Sequence, residues 1–346
     1  MSRKRTLLIT LDAFETLFHP RKPIADLYAA AANHYRFPRG APPLTPEKIH
    51  SAFKETFKAQ SSILPNYGRD AALAGKYAGP KQWWSEVVVD TLARASGSRE
   101  EVPPHLVNTL LNRFASSDSY ALYPDVDEFL RWMTTVKVFE GGEFDKIVVG
   151  VVSNSDDRVP AILSSLGKRV GPWRAPQYAT GKKPPRIRGF EPSSFYSRLA
   201  QNPPPSSTWL EPSGKGRVQV PVFEEPNDFD LVITSFQAGF EKPKREIFAA
   251  AKDAARAMLG PEYACGKWVC VHAGDDYVKD YCAARDAGWD AYFLDRDGQG
   301  EHRHVDRRKR IRSLTDLVSV YLKKYSGHPA PGELAELLRS SNRALS

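Results

Sequence analysis

The chain has 346 residues, 41% hydrophobic and 26% charged, with a net charge of +8. That is the make-up of an ordinary soluble globular protein, long enough for one large domain with insertions or for two modest ones. No run reaches the roughly 18–20 apolar residues of a spanning helix, and the basic start Met1-Ser-Arg-Lys-Arg5 lacks a secretory h-region and cleavage site.

In chain order, Thr6–Leu11 is apolar and β-branched and ends at the carboxylate of Asp12, which predicts a buried strand with an acid at its carboxyl end. Lys22–Tyr35, Pro46–Ala59, Pro80–Ala95 and Pro103–Ser116 read as amphipathic helices, several with proline in the first turn. In the last of these, Leu106, Val107, Leu110, Leu111 and Phe114 share one face. Tyr123–Met133 starts a further helix. Lys146–Val152, Asp230–Thr234, Lys267–His272 and Trp289–Leu294 read as buried strands, with helical patterns at Glu246–Leu259 and Tyr277–Ala287 between them and a surface helix at Ser313–Lys324. Strands alternating with helices predict an α/β fold: a Rossmann-like parallel sheet with helices on both faces. Right-handed crossovers put all the strand ends on one edge, where Asp12, Ser153-Asn154, Thr234-Ser235 and Gly274-Asp275-Asp276 would meet.

About 130 residues separate the first two strands, too many for one crossover, so an inserted α-helical cap subdomain is expected over the strand ends. The expected organisation is a core of residues 1–18 and 121–326, a helical cap of 19–120, a Pro-rich and partly disordered insert at 168–228, and a tail of 327–346. The insert holds eleven of the 27 prolines and ten Lys/Arg against five Asp/Glu. Within it, Arg217–Phe223 alternates like a short edge strand, and the residues after Gly327 hold one more helical pattern. The positive excess sits mostly in this loop-like segment, so it reads as solvated charge and nucleic acid is not an expected partner. The run Arg307–Arg312 reads the same way, with a nuclear address as its alternative. Three cysteines, Cys265, Cys270 and Cys282, lack metal-ligand spacing and suit reduced thiols in the cytosol or nucleus. Oligomeric state cannot be read from the sequence.

The strand-end residues match a family pattern. Asp12-Ala-Phe-Glu-Thr-Leu17, Val151-Val-Ser-Asn154, Phe240-Glu-Lys-Pro243 with Glu246-Ile-Phe248, and His272-Ala-Gly-Asp-Asp-Tyr-Val-Lys-Asp280 stand in order at sensible spacing. Together they resemble the four motifs of the haloacid dehalogenase-like hydrolases (the HAD superfamily), of the helical-cap type. The likeness is nearest to the eukaryotic haloacid dehalogenase-like hydrolase domain-containing proteins. The resemblance implies Asp12 as nucleophile, Ser153 and Asn154 as ligands of the transferred group, and Lys242 as a fixed cation. It also implies an acidic fourth motif that holds Mg²⁺.

The chemistry of such a set is coherent on its own terms. A carboxylate can attack phosphorus and form an aspartyl-phosphate, splitting hydrolysis into two steps. An anionic substrate beside an anionic nucleophile needs counter-charge, from Lys242 and from Mg²⁺ held by Asp12, Asp275 and the main-chain carbonyl of Phe14. Asp276 is either a second metal ligand or a helix cap, and Asp280 orients the site. One position breaks the pattern. Phosphatases of this type carry an acid two residues after the nucleophile, where this chain has Phe14, and a ring cannot transfer a proton. Glu15 is a candidate substitute acid that points the wrong way by one residue.

The leading expectation is a Mg²⁺-dependent, slow phosphatase acting on a small phosphorylated molecule. A metal-independent 2-haloacid dehalogenase-like hydrolase is the first alternative. Against it stand the Gly274-Asp275-Asp276 cluster and the lack of a cap arginine and halide-cradle pattern around Arg21–Tyr35. A catalytically impaired binding or regulatory protein is the second.

Overall fold

A computed structural model describes residues 4–138, 142–174, 226–298, 302 and 304–324. The expected edge strand at Arg217–Phe223 and the helical pattern after Gly327 lie outside the described residues, as does most of the Pro-rich segment.

The core is a seven-stranded sheet built from β1 (Arg5–Leu11), β4 (Lys146–Ser153), β5 (Val170–Trp173), β6 (Phe229–Thr234), β7 (Lys267–Gly274), β8 (Asp290–Leu294) and β9 (Arg310–Ile311), in the order β5-β6-β4-β1-β7-β8-β9. Every pairing in it is parallel. Successive side chains of a strand point to opposite faces, and the apolar positions divide accordingly. Leu7, Ile9, Leu11, Val149, Val151 and Val271 belong to one apolar cluster, Leu8, Val148, Val152, Leu231 and Ile233 to the other. Both faces are covered, so the strands read as continuous apolar runs.

The sequence named five of these strands within a residue or two at each end. The two outermost, β5 and β9, were not named. β5 lies inside the 168–228 segment read as an insert and contains Pro172, which an edge strand tolerates because one side of its ladder is unpaired. β9 lies inside the basic run Arg307–Arg312 read as solvated charge. There Lys309 pairs with Asp290 and Arg310 with Asp295, so part of that run is structural.

Strand β1 lies between β4 and β7. The chain leaves β1 toward one half of the sheet and later returns to its other side with β7, so the carboxyl end of β1 is the topological switch point where ligands bind in open α/β sheets. From there the chain runs through β2 (Phe18–Pro20), which pairs antiparallel with β3 (Tyr120–Leu122). This ribbon, not foreseen from the sequence, takes the chain out to the inserted helices and back.

Those helices are α1 (Ile24–His34), α2 (Pro46–Ile63), α3 (Pro65–Leu73), α4 (Pro80–Ser96) and α5 (Pro104–Arg113). Thr45 accepts a hydrogen bond from Lys48 N to cap α2. α4 ends at Gly97 in the left-handed conformation. Their buried faces, including Leu27, Ile49, Leu92, Leu106 and Leu110, are continuous with the apolar layer on one side of the sheet. Burying each such side chain is worth about 1.5–3 kcal/mol, enough to hold the helical block against the core.

Helix α3 had no counterpart in the sequence reading, for it is short and starts in three left-handed residues, Asn66, Tyr67 and Gly68. A Cβ at Gly68 would lie 2.6 Å from the Tyr77 ring, so both the backbone and the space require glycine there. This turn touches the core directly. Asn66 Nδ2 donates to Ser235 O (2.8 Å), Tyr67 Oη to Asn154 O (3.2 Å) and Arg69 Nε to Phe236 O (2.7 Å).

No helix among the described residues is long and apolar enough to cross a membrane. Cys265 is exposed, Cys270 and Cys282 are half-buried, and all three are free thiols.

Candidate active site

Asp12 is the first residue past β1, and its amide donates to Ala273 O (3.0 Å) at the end of the neighbouring strand. Its Oδ1 stands 2.8 Å from Lys242 Nζ. The approach is too bent for a hydrogen bond, and Oδ1 is left without one although it is buried. Burial pushes the Asp12 carboxyl above the ordinary carboxylate range, only partly offset by Lys242.

Lys242 itself is 3% exposed. Its Nζ donates to Asp280 Oδ1 (2.5 Å) and to Val152 O (3.0 Å). Burial alone would lower its basicity, but the Asp12 and Asp280 carboxylates raise it above the usual lysine value, so it is a permanent cation.

Asp280 reaches the rim by an unusual route. The segment read as the helix Tyr277–Ala287 opens with a π-helical turn, Tyr277–Cys282, before one α-helical turn, Ala283–Asp286. Such wide turns concentrate at functional sites. Here it brings the fully buried Asp280 carboxylate back against the end of β7, where a Cβ on Gly274 would sit 2.2 Å from Asp280 Oδ2. Asp280 Oδ2 accepts from Asp276 N (3.0 Å). Its Oδ1 is also 3.1 Å from His272 Nε2. Burial would raise the Asp280 carboxyl, but Lys242 and His272 hold it well below the usual range.

His272 is wholly buried, and burial pushes its imidazole below the usual value, which keeps it neutral. Asp280 can only accept, so Nε2–H donates to it and Nδ1 takes the Thr10 hydroxyl (2.9 Å). A relay of Thr10, His272, Asp280, Lys242 and Asp12 thus runs from the sheet interior to the rim. Thr10 and His272 had no assigned role in the sequence reading, although both lie in or beside its motifs. Only the register β1 Thr10 opposite β7 His272 brings them together.

Asp275 lies across from Asp12, with Oδ1 accepting from the Thr16 hydroxyl (2.8 Å) and its amide donating to Thr16 Oγ1 (3.2 Å). Burial, and next the charge of Asp12, push its carboxyl up to about 7. Arg296 holds this loop by donating to Thr16 O (2.7 Å) while pairing with Asp125. The sequence carried no sign of that brace.

Oxygens of Asp12, Asp275 and Asp280 lie within 4.8 Å of one another. Asp280 is held by Lys242, His272 and Asp276 N, so Asp12 and Asp275 are the pair able to turn toward a cation. An orphaned Asp12 oxygen and a neighbouring carboxyl crowded enough to hold a proton suit a hard divalent ion. Among the described residues, no main-chain hydrogen bond reaches the Phe14 carbonyl, which therefore remains a candidate ligand.

The other residues read as ligands or acids lie around this core. Asp276, read as a second metal ligand or a cap, has the cap geometry: Oδ1 accepts from Val278 N and Lys279 N, and Oδ2 from Lys279 Nζ. Asn154, read as a phosphate ligand, uses both ends of its amide on Lys242, donating to its carbonyl (2.8 Å) and accepting from its amide N–H (2.6 Å). It holds the lysine loop instead. Glu15 is exposed, in a left-handed conformation (φ 57°), and accepts from Tyr123 Oη (2.8 Å), turned away from Asp12. Ser153 is buried at the end of β4, 2% exposed, beside the Lys242 loop that Asn154 holds.

Phe14 turns out of the rim into the space below the inserted helices. Its ring meets Phe18 and Tyr120 edge-on, at 4.8 and 5.7 Å between centroids. It forms the floor of a cavity of about 240 Å³ between core and cap, whose walls include Tyr28, Phe53, Trp84 and Phe114. The cavity also reaches Asn154, so it opens at the carboxyl end of β4, the strand beside the one that carries Asp12.

No family model matches the chain. It is 25% identical over 288 residues to an uncharacterized hydrolase of Schizosaccharomyces pombe, covering 83% of this chain and 90% of that protein. It is 23% identical over 307 residues to haloacid dehalogenase-like hydrolase domain-containing protein 3 of Danio rerio, covering 88% and 92%. The human protein of that name is 23% identical over 292 residues, covering 84% of this chain and 83% of its own. Among solved structures, a 2-haloacid dehalogenase from Pseudomonas syringae pv. tomato aligns with a TM-score of 0.48 at 14% identity, covering 93% of this chain and 99% of that one.

Proposed function

We propose that this chain, a haloacid dehalogenase-like hydrolase by its relatives and its fold, is a Mg²⁺-dependent phosphatase of small molecules working through an aspartyl-phosphate. The observation that supports it most is the convergence of the Asp12, Asp275 and Asp280 carboxylates, within 4.8 Å of one another, around the Lys242 ammonium. In this reading an Asp12 oxygen attacks phosphorus, the bond to the leaving oxygen breaks, and water then cleaves the acyl phosphate to release inorganic phosphate and restore the carboxylate. Lys242, fixed by Asp280 and Val152, favours the ionised form of Asp12 against its burial and faces the charge that develops on the phosphoryl oxygens. The His272–Asp280 pair prevents Lys242 from following the substrate out of place. Ser153 supplies a hydroxyl to the transferred group. Asp12 and Asp275 would hold the Mg²⁺, which when bound supplies positive charge to the phosphoryl oxygens.

Phe14 sets the character of the activity. With a ring where an acid would serve, and with Glu15 turned away, no group protonates the leaving oxygen. General acid–base help is commonly worth ~10²–10⁴-fold. Substrates whose leaving group departs as a stable anion, acyl phosphates and activated aryl phosphates, should therefore be turned over far better than alkyl esters.

The test is hydrolysis of 4-nitrophenyl phosphate and acetyl phosphate with and without Mg²⁺. Turnover should require the metal and vanish in Asp12→Asn. Phe14→Asp should raise the rate on an alkyl phosphate ester by about 10²-fold by restoring the proton donor, and on 4-nitrophenyl phosphate far less. Chloride release from 2-chloropropionate without metal would replace this reading by the dehalogenase one. No turnover in either assay, with no gain in Phe14→Asp and no Mg²⁺ binding, would leave a binding protein.

A further inference from the structure

The cavity under the inserted helices is apolar except for one cluster. Arg158, at the start of α6 (Arg158–Ser165), donates through Nε to Asp156 Oδ1 at 2.9 Å and Oδ2 at 3.2 Å. Trp84 Nε1 donates to the same carboxylate (2.7 Å), and the guanidinium stacks 4.0 Å over the Trp84 ring. The plane and position of Arg158 are therefore fixed. Its two terminal amino groups have no hydrogen-bond partner among the described residues.

Two phenols join it in the cavity wall. Tyr28 is 1% exposed and Tyr120 4% exposed, and neither hydroxyl has a hydrogen-bond partner among the described residues. Neither hydroxyl is among the fully buried unpaired atoms of the described residues, so both open to the cavity, where a ligand can meet them. Tyr28, Tyr120 and Arg158 all line this one small cavity, which brings the three groups together. The phenols and the two terminal amino groups can donate, and no acceptor among the described residues takes up their hydrogens.

We propose that Arg158, Tyr28 and Tyr120 form a subsite for a carboxylate, borne by a substrate whose small apolar body lies against Phe14, Phe53 and Trp84. A planar carboxylate matches a guanidinium edge in two parallel hydrogen bonds and has lone pairs left for two phenols. The aromatic walls take the body of the ligand, and a cavity of about 240 Å³ admits only a small one. In placing the other end of this molecule at Asp12, the inference rests on the phosphatase reading and narrows it to phosphorylated carboxylic acids.

Binding without turnover tests the pocket by itself. In calorimetric titration of the full chain, 3-phenylpropionate should bind about ten-fold more tightly than 3-phenylpropanamide or 3-phenylpropanol. That preference should fall several-fold in Tyr28→Phe and in Tyr120→Phe, and close to parity in Arg158→Gln. The two tyrosine variants keep the ring and remove a hydroxyl that nothing in the fold uses, so their thermal unfolding serves as the folding control. Equal binding of the three ligands, or a preference that survives all three variants, overturns the subsite. A parallel comparison of phenyl phosphate with its 4-carboxylated analogue separates the two readings. The titration pattern without hydrolysis of either would sink the phosphatase and keep the subsite. Hydrolysis of both with no preference in either assay would do the reverse.

Discussion

The rim of strand ends and the cavity beneath the inserted helices are adjacent but built on opposite terms. At the rim the lysine is held by paired charges: Lys242 by Asp12 and Asp280, Asp280 by His272 and the Asp276 amide, and His272 by Thr10, while Asp275 stands beside Asp12 as a second acid. In the cavity the walls are mostly rings, one ion pair is fixed by Trp84, and two hydroxyls that open to the space lack a partner among the described residues. A site whose own groups satisfy one another is rigid and indifferent to what arrives. A site with unmet donors is completed by its ligand. In the proposed reading the chemical step belongs to the sheet edge, where parallel pairing fixes positions, and selection to the cavity under the helices.

Three measurements can break or sharpen that contrast. The largest effect should come from Lys242→Met, which leaves Asp12 and Asp280 buried without their cation. Urea unfolding should show a loss of about 3–5 kcal/mol, and a loss below 1 kcal/mol would mean the rim is not the interlocked unit described. Next is pH. Asp275 titrates near 7 in the fold and near 3.8 when unfolded. Between those values the folded state binds more protons, so its contribution to stability is fully present below about pH 4 and lost as pH rises through 7. Metal-free protein should lose on the order of 2 kcal/mol between pH 5 and pH 8. Asp275→Asn should remove that slope, and Mg²⁺ should restore stability at pH 8 by binding the ionised form. A slope unchanged in the variant would place the titrating group elsewhere. The smallest effect belongs to the cavity. Tyr28→Phe deletes an unpartnered hydroxyl and should leave stability unchanged or raise it by up to about 1 kcal/mol, whereas a clear loss in thermal unfolding would show that the hydroxyl is bonded within the fold after all.

The rim was largely legible in the sequence because it is written at strand ends. Asp12, Ser153 and Asp275 each follow or end a run whose apolar character marks a buried strand, and parallel topology gathers such ends whatever the helices do; Lys242 and Asp280 lie further along, past a helical turn and within the π-turn, and were placed by the motif pattern. What failed there failed by side-chain direction. Asn154 and Glu15 sit beside the right positions, but one has its amide tied to the Lys242 main chain and the other is turned outward by a left-handed backbone. The cavity was not legible. Tyr28, Trp84, Tyr120 and Arg158 come from four separate segments whose periodicity reports only that each has a buried face. The same apolar pattern would serve a packed core, and nothing local says that a space is left between them.

The sequence by itself determined the alternation of strand and helix, the face each element buries, and the order of the acids and the lysine along one edge. Those follow from hydrophobic periodicity and chain connectivity, which are properties of short segments. Only the tertiary structure decided that a π-turn would return Asp280 to the lysine, that Phe14 would face a cavity instead of the nucleophile, and that an arginine and two phenols would meet there unanswered. Those outcomes depend on contacts between residues far apart in the chain, and such contacts exist only once the elements have packed.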